Sequence, residues 1–64
     1  MRIFKTPYLD QICGEAQAMG YYIEGHEPTI IVSDEDDFTA ELWSIDDENV
    51  PTDAQTVTQF NQLF

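Results

Sequence analysis

Sixty-four residues, 42% of them hydrophobic and eight of them aromatic (one Trp, three Tyr, four Phe), supply one small folded domain and too little chain for a second. Thirteen carboxylates against only Arg2 and Lys5 give a formal net charge of −11, which excludes direct nucleic-acid binding through phosphate neutralisation and favours a basic partner. A lone Cys13 excludes an intramolecular disulfide, and no Cys/His cluster offers a structural zinc site. Because the longest aliphatic run is Ile30, Ile31 and Val32, neither a signal peptide nor a membrane span is expected, and the cytoplasm is the expected compartment.

Residues 2–5 suggest a short N-terminal edge strand or an ordered lead-in. Thr6 and Pro7 then open a predicted helix, Thr capping free backbone N–H groups and Pro fitting the first helical position. Tyr8, Leu9, Ile12, Cys13, Ala16 and Met19 recur at helical spacing, and Gly20 closes the helix as a left-handed cap. Gly14 interrupts it at a cost of about 1 kcal/mol relative to Ala, unless a neighbouring backbone needs the space.

Residues 21–24 have strand composition, 25–28 have turn composition, and the β-branched run 29–33 is the clearest strand. Four acidic residues make the next turn. Residues 38–45 form the third predicted strand, its alternation setting Phe38, Ala40 and Leu42 on the core face and Thr39, Glu41, Trp43 and Ile45 on the other. Thr52 and Gln55 match a capping box, after which Val57, Phe60 and Leu63 or Phe64 repeat at helical spacing. The expected fold class is therefore α+β: a three-stranded antiparallel sheet, with room for a short N-terminal strand, packed against two helices in the order α-β-β-β-α. Core supply is small at this size, so both a monomer and a homodimer are compatible with it.

Little in the chain speaks for catalysis. His26, the only histidine, falls in a predicted turn where solvation explains it, and the helical phase of Cys13 makes it a core residue. No phosphate loop, nucleophile elbow or HExxH motif occurs, and the acidic runs lack the EF-hand pattern, so no enzyme, metal or cofactor is expected.

The acidic residues themselves are organised. Asp34, Glu35, Asp36 and Asp37 precede strand 38–45, and Asp46, Asp47 and Glu48 follow it. Glu41 lies between them, and hairpin order adds Glu24 and Glu27 to the second cluster. An eight-residue strand would hold the clusters roughly 25–30 Å apart at ~3.4 Å per residue. The result is a stripe comparable to ~8 base pairs of duplex at ~3.4 Å each. Two placements are open for Trp43: an interface anchor beside Glu41, or a core residue under a helix.

A short, cysteine-poor, acidic α+β chain with carboxylates at these positions resembles the DNA-mimic inhibitors encoded by phages and mobile elements, several anti-CRISPR proteins among them. The likeness is one of size and charge over the whole chain, with no shared motif. It implies a bacterial host cell, a partner with a basic nucleic-acid-binding surface such as a CRISPR-Cas effector subunit, and steric competition with DNA. Two other classes compete: an acidic antitoxin or regulatory subunit docking through an apolar helix with Val57, Phe60 and Phe64, and a salt-adapted housekeeping domain without a tight partner.

Overall fold

The computed structural model describes residues 2–64. In chain order the elements are β1 (Arg2–Thr6), α1 (Leu9–Ala18), β2 (Tyr22–His26), β3 (Thr29–Ser33), β4 (Thr39–Ser44), β5 (Gln55–Thr56) and a closing 3₁₀ turn, Phe60–Leu63. The chain is α+β, with one helix and a mixed five-stranded sheet of order β2-β3-β4-β1-β5. Its antiparallel part, β2 to β3 to β4, is the meander that the alternation and turn residues predict, with Ile31 opposite both Glu24 and Glu41.

The first correction concerns β1. It is an interior strand, not an edge or lead-in, and runs parallel to β4 on one side and β5 on the other. Phe4 and Thr6 are fully buried on its core side, whereas Ile3 and Lys5 are half-buried on the reverse. Thr6 accordingly ends a strand and does not cap the helix. Its Oγ1 accepts the Tyr8 N–H at 3.0 Å, and its carbonyl accepts the Ile45 N–H at 3.0 Å. Helix α1 thus begins at Leu9, and of the predicted stripe it buries Leu9, Ile12 and Ala16, with Cys13 half-buried, whereas Tyr8 and Met19 at the two ends of the stripe are exposed. It stops at Gly20, whose φ of +88° is left-handed. The Gly20 N–H reaches the Gln17 carbonyl and the Tyr21 N–H reaches the Ala16 carbonyl, each at 3.0 Å, which is a Schellman closure of the last turn.

The second correction concerns residues 52–64, which form no α-helix. Gln55 and Thr56 instead pair with Phe4 and Lys5, and Val57 extends this by donating to the Lys5 carbonyl at 2.9 Å. The β-branched run Thr56, Val57, Thr58 favours such an extended path. Phe60 and Leu63 are nevertheless buried, because a 3₁₀ turn repeats every three residues and stacks positions 60 and 63 as a helix would bring them together. No helix starts at Thr52. The capping box forms further on, where the Gln62 side chain accepts the Gln59 N–H at 3.0 Å.

One core joins these pieces. Phe4, Ile30, Val32, Ala40 and Leu42 from the sheet meet Leu9, Ile12 and Ala16 of α1 and Phe60 and Leu63 of the 3₁₀ turn. Both helical elements therefore lie on one face of the sheet. Since β4 and β5 are both parallel to β1, residues 45–54 must return alongside it, and the right-handed rule for crossovers puts that return on the opposite face. Ala54, buried yet outside the main cluster, agrees with this placement. Among the described residues no helix is long and apolar enough to cross a membrane.

Candidate acidic interface

The acidic turn between β3 and β4 is built by its first residue. Asp34 Oδ1 accepts the N–H groups of Asp36 at 2.9 Å and Phe38 at 3.1 Å, an arrangement typical of Asx turns. Its carboxylate is thus partly spent on the fold. Glu35, Asp36 and Asp37 remain exposed around it, with Glu35 accepting the Tyr22 hydroxyl at 3.3 Å.

The second cluster gathers at the other end of β4. Glu27, Asp46 and Asp47 line one hollow with Pro28 and Ser44, and Asp10 joins Glu27 and Asp46 around an adjoining one. Asp10 was not predicted as a member, because only the packing of α1 beside the β2–β3 turn brings it there. A hydrogen bond shared with the Asp10 carboxyl, then the Asp10 charge, then slight desolvation raise the pKa of Glu27 above the ordinary carboxylate range. Asp47 resembles Asp34 in having a structural duty, since its Oδ1 accepts the Asn49 N–H at 2.8 Å. Asp46 and Glu48 are exposed. Among the described residues no group of three or more His, Cys, Asp or Glu side chains is set to hold a metal ion.

Between the clusters lies the helix-free face. Cross-strand partners share a face, so Glu24, Ile31, Glu41 and Ile3 form one row, and His26, Thr29, Trp43 and Lys5 the next. Glu24 therefore lies midway along the edge strand β2, not at the Glu27 end where hairpin order was expected to put it. It stands two strands from Glu41, about 10 Å at ~4.8 Å per strand. Trp43 lies outside the core cluster, half-buried on the helix-free face, and donates from Nε1 to Glu41 Oε2 at 2.6 Å. Strand β4 is extended, as the stripe requires, but at six residues it is shorter than expected and separates its ends by about 20 Å at ~3.4 Å per residue. The molecule's longest dimension is 30 Å.

His26 ends β2 and is exposed; the turn is confined to Glu27 and Pro28. Cys13 is half-buried against the core, where burial first and Asp10 second push its thiol pKa up, away from thiolate chemistry. The apolar helix that a regulatory subunit would have used does not exist: Val57 and Phe60 are core, and only Phe64 of that set is exposed. No protein-family model, curated protein or solved structure gives a significant match to the chain.

Proposed function

We propose that the protein is an acidic inhibitor that occupies the basic nucleic-acid-binding surface of a partner protein and keeps DNA out of it. The observation that carries this reading is the distribution of carboxylates along one extended element. Glu35, Asp36 and Asp37 stand at one end of β4, Glu27, Asp46, Asp47 and Glu48 at the other, and Glu24 and Glu41 in the row between. Among the described residues Lys5 is the one cation on that face, since Arg2 belongs to the core-side row and donates to the Leu63 carbonyl at 3.1 Å. Such a surface offers a Lys/Arg-lined channel negative charge over a span of several base pairs, steers its approach, and gains counterion release on contact. A DNA-processing effector of the CRISPR type is the first target to assay.

The test is competition with labelled duplex DNA for such an effector at increasing salt. Inhibition should weaken steeply with ionic strength, and Asp36→Lys with Asp46→Lys should reduce it at least tenfold, the scale of losing a few charge contacts. Asp46 is the better second site because reversing Asp47 would also break the turn it holds. Unchanged inhibition by that folded double variant would overturn the proposal. Marked stabilisation by molar salt with no displacement of DNA would instead favour a salt-adapted domain.

A further inference from the structure

We infer that a cleft between the end of α1 and the 3₁₀ turn is a docking site for one apolar side chain carried on a Lys/Arg-bearing segment of a partner protein. It is separate from the carboxylate stripe, and the inference rests on the proposed function only in taking the partner to be basic. The cleft measures about 460 Å³ and is lined by Ala18, Met19, Tyr21, Phe60 and Phe64, with Glu15 on its polar side. Met19 and Phe64 are 68% and 57% exposed, so two large apolar side chains lining one cleft are open to solvent together.

The hollow is built, not incidental. The Schellman closure leaves Met19 projecting at the end of α1, while Tyr21 stacks edge-on against Phe60 at 5.0 Å. Phe64 packs on Phe60 at 5.2 Å and on Phe38 at 4.9 Å, so aromatic rings form a continuous wall. Phe38 directly follows the acidic turn, and its own N–H is held by Asp34. Among the described residues, Glu15 is the one charged side chain that lines this otherwise apolar and amide-edged hollow.

Charge decides the occupant. Neither Arg2 nor Lys5 lines the cleft, and Arg2 is held over the Phe4 ring at 5.0 Å. A second copy of the chain would bring another formal charge of −11 against the first, which opposes self-association. An aromatic or aliphatic anchor flanked by lysine or arginine satisfies both the hollow and its rim.

The experiment selects a displayed library of random dodecapeptides on the wild-type chain, then measures the winners against Met19→Ala with Phe64→Ala. Both positions are exposed, so the variant should fold, and a thermal melt checks this. Enriched peptides should pair an aromatic or leucine with several basic residues and bind the variant about 30-fold more weakly, the loss of a hot-spot anchor. Titration into wild-type protein should shift the Met19 methyl and Phe64 ring signals. No enrichment, winners without basic residues, binding indifferent to both substitutions, or a dimer dissolved by Phe64→Ala would overturn the inference. Peptide binding that survives while DNA competition fails would sustain the cleft and sink the inhibitor reading; the reverse pattern would do the opposite.

Discussion

The indole of Trp43 donates to the carboxylate of Glu41 at 2.6 Å, joining the only tryptophan to the acidic residue at the middle of the sheet. Neighbours of this kind on one strand face fix each other's rotamers, and a charged acceptor makes the bond stronger than a neutral one. Glu41→Ala should red-shift the Trp43 emission and lower stability by about 1 kcal/mol, less than a fully buried charged bond because the pair is half-exposed. Glu41→Gln, which keeps an acceptor, should shift the emission less. Fluorescence spectra and urea melts of the two variants check this.

Two glycines should respond in opposite directions to alanine. A Cβ at Gly14 meets nothing within 4 Å, so no close neighbour explains it, and Gly14→Ala should stabilise α1 by about 0.5–1 kcal/mol. Gly25 has a φ of +83° and its Cβ would approach the Thr29 carbonyl oxygen to 3.1 Å, so Gly25→Ala should destabilise by about 1–2 kcal/mol. At this chain length each kcal/mol corresponds to roughly 4–8 °C in the melting midpoint, which calorimetry resolves.

Leu63→Ala should be among the most damaging single changes. Leu63 is fully buried, and leucine-to-alanine losses in cores run about 2–5 kcal/mol. A chain this size holds only about 3–10 kcal/mol in total at ~0.05–0.15 kcal/mol per residue. Phe64→Ala, one residue on and half-exposed, should cost clearly less. Comparable losses at the two positions in urea titrations would contradict the 3₁₀ placement.

The contact between Asp10 and Glu27 predicts a particular acid dependence. The folded state raises the pKa of Glu27 above its ordinary value of 4.5, so it binds the proton more tightly than the unfolded chain does. The stability this contributes is fully present below about pH 4.5 and is lost as pH rises through the raised folded-state value. Asp10→Asn removes the charge that opposes ionisation of Glu27. Urea midpoints of the variant should therefore fall less than those of the wild type between pH 4 and neutrality.

What local patterns govern is legible in the sequence itself. The β2–β3–β4 meander follows from alternation and turn residues, the Gly20 cap from a glycine at the end of an apolar stripe, and the burial of Ala40 and Leu42 from the two-residue period of a strand. Long-range pairing left no such trace. Nothing near Arg2 or Phe4 announces a parallel partner at Ala40 or Leu42, because parallel neighbours are joined by no turn. The three-residue spacing of Phe60 and Leu63 suits a 3₁₀ turn as well as an α-helix. Likewise the carboxylate-rich turns could be read directly, but not the meeting of Asp10 with Glu27 or the cross-strand row of Glu24 and Glu41, which depend on which elements end up side by side.

The interior position of β1 also governs when the molecule can come into being. Its pairing partners are residues 40–45 on one flank and 55–57 on the other, so as the chain is synthesised β1 waits for strands that follow it by roughly 40 to 50 residues. Until then Phe4 has no place to pack. Folding should consequently be late and nearly all-or-none, with the β2–β3–β4 meander the one sizeable piece able to form beforehand.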